Sequence, residues 1–225
     1  MMQRLIDIGF ALVVLILLSP LFLVTSVAIV LGSRGGPFYG GWRAGKDGAP
    51  FRMWKFRTMV SGADRSGAIA APGDPRITRI GKFLRATKID ELPQFFNLLA
   101  GDLTLVGPRP EDLNIIQLFT PEQKETLRVK PGITGPGQIY YTTDQADSIP
   151  PGVAADQYYI DHLLGEKLRI DLEYLKRRTV WTDCGVVMQT ISLIARAVAG
   201  TAERKRTTSV TFPEPTVEGE LRKGL

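Results

Sequence analysis

Residues 8–31 read IGFALVVLILLSPLFLVTSVAIVL, twenty-four positions without a charge. As a helix this run rises about 36 Å, against a hydrocarbon core of about 30 Å. Arg4 and Asp7 stand just before it and Arg34 just after. The run is longer than a signal-peptide core, and no small-x-small cleavage pattern closes it. Length alone favours a straight transmembrane helix. Ser19-Pro20, at the centre of the run, argues for a different path. Proline removes a backbone donor and clashes with the preceding turn, so it kinks or breaks a helix. The neighbouring serine can supply a hydroxyl to the freed backbone, which lipid cannot. A break at the midpoint permits a hairpin that enters and leaves the same face. Basic residues at both ends suit two ends on the cytoplasmic side. The residues alone leave a straight span and a re-entrant hairpin both open.

Beyond this segment the chain of 225 residues suits one compact domain with appendages, and its formal charge of +5 suits phosphates or anionic headgroups. No nucleic-acid partner is expected. A lone cysteine, Cys184, excludes an intramolecular disulfide, and with a lone His162 it excludes a Cys/His metal cluster. The pattern predicts an α/β, mostly helical chain. Glycine-rich residues 35–50 read as a turn-rich connection with short extended pieces, and 60–75 as a loop. A basic helix is expected over 77–86. A short one follows over 92–99, with Pro93 in its first turn and Gly101 ending it. Residues 111–128 look helical with a break at Thr120-Pro121-Glu122, and 130–137 and 142–157 read as loops. Two amphipathic helices come next. In the second, Cys184, Val187, Met188, Ile191, Ile194, Ala195 and Val198 share one apolar face, which assigns Cys184 to packing. His162 reads as a surface or helix-packing residue, and Trp42, Trp54 and Trp181 as interfacial anchors.

Residues 85–110 carry the chemistry: Arg85, Lys88, Asp90-Glu91-Leu92-Pro93-Gln94, Asn97, Gly101-Asp102 and Gly107-Pro108-Arg109-Pro110. Asp90 and Glu91 stand just before a predicted helix, whose free N–H groups and dipole favour ionised carboxylates. One carboxylate can act as a nucleophile toward phosphorus. The other can hold Mg²⁺, which prefers oxygen ligands and shares them with substrate phosphates. Simple helix capping accounts for the same pair without any chemistry.

Ordered motifs add what spacing lacks. The segment from Arg4 to Asp7, the Ser19-Pro20 break, Lys55-Phe56-Arg57-Thr58-Met59, Asp74, Arg76, Thr78, Gly81 and Arg85 come first. Asp90-Glu91-Leu92-Pro93-Gln94, Asn97, Gly101-Asp102, Val106-Gly107-Pro108-Arg109-Pro110, Pro131-Gly132-Ile133-Thr134-Gly135, Asp171, Tyr174 and Asp183 follow. Together they resemble the bacterial sugar transferase family, the monotopic phosphoglycosyl transferases, over residues 3–195. The resemblance implies a re-entrant membrane helix folded at Ser19-Pro20, interfacial amphipathic segments such as 93–99, and a small catalytic domain. The corresponding divisions are 1–34, 35–200, and a flexible tail over 201–225. It implies a place in the cytoplasmic leaflet of the cell membrane with the catalytic domain facing the cytoplasm.

The resemblance also implies Asp90 as nucleophile, with Glu91, and Asp90 beside it, binding Mg²⁺. The substrates it implies are a nucleotide diphosphate sugar, with uridine as the base, and a polyprenyl phosphate. Attack by Asp90 on the sugar-bearing phosphate would release UMP, and the lipid phosphate would then take the phosphosugar. Arg85 and Arg109 are the candidate phosphate clamps, since a guanidinium grips phosphate with two donors. Lys55 and Arg57 are further candidates, with snorkelling toward headgroups as their plainer role. The family pattern gives Asp171 and Asp183 a supporting role toward Arg109 or the metal. The segment Pro136-Gly137-Gln138-Ile139-Tyr140-Tyr141 departs from the pattern, which points Gln138 toward nucleotide or sugar selection. Two other functions stand beside this one: a membrane-anchored scaffold without catalysis, and a transferase of bare sugar that releases UDP.

Overall fold

The computed structural model describes residues 2–63, 70, 73–142, 149–150 and 153–199. The tail expected over 201–225 and half of the loop over 142–157 lie outside the described residues, as does part of 60–75. The apolar run forms two helices, α1 (Met2–Leu17) and α2 (Ser19–Gly32), bent by 62° at the break. Among the described residues no single helix is long and apolar enough to cross a membrane. Pro20 cannot donate to Ile16, and the Ser19 hydroxyl donates to that carbonyl at 2.9 Å instead.

Both ends of the bent pair are fastened to the rest of the chain. Arg4 donates to the carbonyls of Leu98 and Leu99 at 2.5 and 2.6 Å, capping the C-terminus of α4 (Gln94–Ala100). Gly101 closes α4 with φ 94°, and a Cβ there would meet the Arg4 guanidinium at 3.2 Å. The buried Asp7 accepts from Thr104 Oγ1 at 2.9 Å and from the Leu105 amide at 3.2 Å. At the other end, Arg57 donates through Nε, Nη1 and Nη2 to Gly36 O, Ser33 Oγ, Ser33 O and Gly35 O, at 2.7 to 3.1 Å. Ile29 and Phe22 of α2 pack with Phe56, Leu84 and Ile80.

Strands are few. β1 (Phe38–Ala44) and β2 (Pro50–Phe56) form an antiparallel hairpin, with Gly40 paired to Trp54. The short extended pieces expected within 35–50 are thus present, and Gly40 and Gly41 lie in β1 rather than in a turn. They serve as strand positions because a Cβ at Gly40 would press on the Trp54 ring at 3.0 Å, and one at Gly41 on Tyr39 at 3.2 Å. β3 (Thr104–Val106) pairs in parallel with β4 (Gly132–Thr134), inside the stretch read as loop. Gly132 is what permits this, since a Cβ there would fall 2.2 Å from the Gly107 amide nitrogen.

The basic helix is α3 (Arg79–Thr87), N-capped by Thr78 through Gly81. Residues 111–128 form two 3₁₀ turns, Ile115–Leu118 and Gln123–Arg128, rather than α-helix, with the break at Thr120 where expected. α5 (Pro136–Tyr140) and α6 (Ala155–Tyr158) are short, and a π-turn over Tyr159–Leu163 leads into α7 (Leu164–Lys176). The largest core joins Ala44, Ile115, Phe119, Tyr159, Leu164 and Leu168. His162 is exposed, stacked on Tyr158. Mostly helical, with two separate two-stranded sheets among the described residues, the chain is α/β only in this limited sense.

α8 (Val180–Val198) corrects one expectation. Cys184 is exposed, and Met188, Ile191 and Val198 of the same apolar face are 64%, 53% and 62% exposed. The helix docks instead through Val186, through Asp183 to Tyr174 and Arg178, and through Thr190 to Thr134. Apolar periodicity identifies a helix and its stripe, but in a chain with other exposed apolar helices it does not say that the stripe faces the core. Trp181 is 81% exposed, and Trp42 and Trp54 are partly so.

Candidate active site

The site begins at a backbone irregularity. α3 ends at Lys88, whose φ of 60° is the left-handed conformation, uncommon for a side chain with a Cβ. It starts a 3₁₀ turn, Ile89–Glu91, and the chain continues through Leu92 and Pro93 into α4. The carboxylates are therefore set in a tight turn ahead of α4 rather than at its first residues. Asp90 points inward, 6% exposed, and its Oδ1 has no hydrogen-bond partner.

Asp90 and Glu91 are adjacent but electrostatically different. Burial pushes the Asp90 carboxyl up, Lys55 opposes this, and the neighbouring Glu91 reinforces it. Burial also pushes Glu91 up, but Arg109, Lys55 and Lys88 together outweigh it and hold Glu91 well below the ordinary range. The Arg109 fork engages both Glu91 oxygens, Nη2 to Oε1 at 2.8 Å and Nη1 to Oε2 at 3.2 Å. Lys55 Nζ reaches Glu91 Oε1 at 3.2 Å, and Gln138 Nε2 lies 3.5 Å from Oε2. The expectation that the helix terminus keeps both carboxylates ionised is thus met by direct cation pairing at Glu91 and not at Asp90.

Arg85 enters from the last turn of α3, its Nε donating to Thr58 Oγ1 at 2.9 Å, and the positive field of Arg85 acts on Asp90. Its two terminal nitrogens make no hydrogen bond among the described residues and remain able to grip a phosphate. The structure thus brings Lys55, Arg85, Asp90, Glu91, Arg109 and Gln138 together. Arg57 does not join them, because its guanidinium is engaged at the exit of α2. Asp183 and Asp171 do not touch Arg109. Asp183 accepts from Tyr174 and Arg178. Asp171, fully buried, accepts the Gly137 amide at 2.9 Å, which fixes the first turn of the helix that carries Gln138.

Sequence reasoning missed a second buried network. Glu111 accepts from Lys167 and, at 2.6 Å, from the Tyr159 hydroxyl, and Lys167 is 3% exposed. Glu111 follows Pro110 directly, so it anchors the loop that carries Arg109. The available signal was Lys167 and Asp171 among Leu164, Leu168 and Leu172 on one helical face. Asn97 is also structural, accepting from the Trp54 amide at 2.9 Å and donating to Arg52 O at 2.7 Å and to Asp102 at 3.0 Å.

Among the described residues no group of three or more His, Cys, Asp or Glu could hold a metal ion. Both Glu91 oxygens are engaged by Arg109, and one also by Lys55, so the unpartnered donor in this pair is the buried Asp90 Oδ1. Mg²⁺ can take one or two protein carboxylates and complete its shell with phosphate oxygens and water, so such an ion would draw most of its ligands from a bound diphosphate.

Residues 1–197 match the sequence profile of the family described as Bacterial sugar transferase. The UDP-N-acetylgalactosamine-undecaprenyl-phosphate N-acetylgalactosaminephosphotransferase of Aeromonas hydrophila is 38% identical over 198 residues, covering 85% of this chain and 43% of that protein. The UDP-glucose:undecaprenyl-phosphate glucose-1-phosphate transferase of Escherichia coli is 35% identical over 199 residues, 85% of this chain and 39% of the relative. The same-named protein of Caulobacter vibrioides is 33% identical over 193 residues, 84% and 68% respectively. The chain thus spans about two fifths of the first two relatives. With nearly its whole described length matched, and Lys55, Arg85, the Asp90-Glu91 pair and Arg109 drawn into one site, the chain belongs to the bacterial sugar transferase family.

Proposed function

We propose that the chain transfers a sugar 1-phosphate from a UDP-sugar to a polyprenyl phosphate, through a covalent intermediate on Asp90. The observation that carries this reading is a buried, unpartnered carboxylate oxygen on Asp90 within a group of cations. Packing alone gives no reason to bury such an oxygen, whereas a nucleophile must keep one lone pair free. The names of the relatives, which pair UDP-sugars with undecaprenyl phosphate, supply the substrate classes.

In the first step an Asp90 oxygen attacks the sugar-bearing phosphorus, and the bond from that phosphorus to the bridging oxygen breaks. UMP leaves with the electron pair. In the second step an oxygen of the lipid phosphate attacks the same phosphorus, the bond to Asp90 breaks, and a polyprenyl diphosphate sugar forms. Arg85 grips the phosphate oxygens, and Lys55 and Arg109 balance the charge of Glu91 beside the reacting centre. Asp90 and Glu91 would hold Mg²⁺, which when bound offsets repulsion between the carboxylate and the diphosphate. Product analysis tests the route: UMP is expected in step with lipid product, and UDP in its place means transfer of bare sugar. Glu91→Gln is expected to raise the Mg²⁺ concentration for half-maximal rate by about tenfold or more. An unchanged metal titration would remove Glu91 from the metal site.

The membrane arrangement that fits is a re-entrant hairpin in the cytoplasmic leaflet. The 62° bend at Ser19-Pro20 breaks the run, and both arms are held to the rest of the chain: Arg4 is tied to α4 and Ser33 to Arg57 just beyond β2, while β2 and α4 are joined through Asn97. Leu17, Leu23 and Leu31, 71%, 67% and 83% exposed, supply apolar surface for lipid. In a Cys184→Ser background, single cysteines at Met2 and Gly36 are expected to react with an impermeant thiol reagent from the cytoplasmic side only. Labelling from opposite sides would establish a span.

A further inference from the structure

Five buried side-chain polar atoms among the described residues have no hydrogen-bond partner: Asp90 Oδ1, both amide atoms of Gln94, Gln138 Oε1 and Asp171 Oδ2. Such atoms are rare in folded proteins because each forfeits its hydration without return. Each is related to the Asp90-Glu91 turn by a contact or by helical spacing. Gln138 reaches Glu91, Asp171 holds the residue before Gln138, and Gln94 lies one helical turn beyond Asp90 along a backbone helical from Ile89 to Ala100.

Gln94 is the extreme case, with no exposed surface and neither side of its amide partnered. Asn97, three residues on in the same helix and 2% exposed, shows what a structural amide does there: all of its bonds go to protein. If Gln94 only filled space, leucine or methionine would fill it without burying an amide.

Resting on the transferase reading above, we infer that Gln94 is a substrate-binding residue, whose amide is kept unpaired in the fold to hydrogen-bond the sugar phosphate carried at Asp90. An amide offers N–H donors for a phosphoryl oxygen and a carbonyl acceptor for a hydroxyl, and a sugar phosphate presents both side by side.

The test compares wild type with Gln94→Leu and Gln94→Met in the full chain, reading thermal midpoint and steady-state turnover of UDP-sugar per folded molecule. Both variants are expected to melt at or above the wild-type temperature while kcat/KM falls by about tenfold to a hundredfold, the scale of a lost hydrogen bond to a charged group. A lowered midpoint with rate retained would make Gln94 structural and overturn the inference. Wild-type rate at unchanged midpoint in both variants would overturn it equally. If wild type turns over no UDP-sugar at all, the transferase reading falls and this inference with it.

Discussion

Asp90→Asn is expected to abolish turnover, by on the order of 10³-fold or more, because an amide nitrogen cannot replace the attacking oxygen and the neutral amide is a poor nucleophile. The variant is expected to fold at least as well as wild type. Burial pushes the Asp90 carboxyl up, so the folded state disfavours its ionised form, and an uncharged isostere removes that burden. Stability retained or raised, with activity lost, is the pattern of a group kept for chemistry at a cost to the fold. Thermal melting and turnover on one preparation check it. Turnover within tenfold of wild type would assign the nucleophile elsewhere.

Asp171→Asn is expected to flatten the dependence of stability on pH. Burial pushes the Asp171 carboxyl up to about 7, with Lys167 and the Gly137 amide pulling the other way. A raised folded-state pKa means that the folded chain keeps its proton at pH values where the unfolded chain, near 3.8, has released it. The stabilising contribution is therefore present at low pH and is lost as pH rises through about 7. Across that window the loss amounts to about 4 kcal/mol, of which about 2–3 kcal/mol falls between roughly pH 5 and pH 8. Asparagine can accept the Gly137 N–H and mimics the protonated acid, so the variant should lose much less over the same range. Denaturant or thermal melts at the two pH values decide this. Equal pH slopes for both proteins would show that Asp171 does not titrate as described.

Features legible in the sequence are those set by local chemistry. Ser19-Pro20 marks the bend, and the serine hydroxyl takes the carbonyl that proline frees. Pro93 and Gly101 bracket α4. The ordered motifs contain Lys55, Arg85, Asp90, Glu91 and Arg109, which the fold brings together. Features set by distant partners were not legible. Arg57 looks like a phosphate ligand in its motif, but Ser33 and Gly35, more than twenty positions earlier, claim its guanidinium. The parallel pairing of β3 with β4 hides in a glycine- and proline-rich stretch because its requirement is close backbone approach, which has no hydrophobic period. The outward face of α8 follows the same logic, since the stripe is visible in sequence but the surface it meets is not.

The most direct measurement is intact-protein mass after mixing the purified full chain with Mg²⁺ and a panel of UDP-sugars, without lipid acceptor, for wild type and Asp90→Asn. Wild type is expected to gain the mass of one phosphosugar, with an equivalent of UMP released, and to return to its original mass when polyprenyl phosphate is added. Asp90→Asn is expected to gain nothing. A phosphosugar adduct on Asp90→Asn, or wild-type lipid product that accumulates with UDP rather than UMP, would contradict covalent transfer through Asp90.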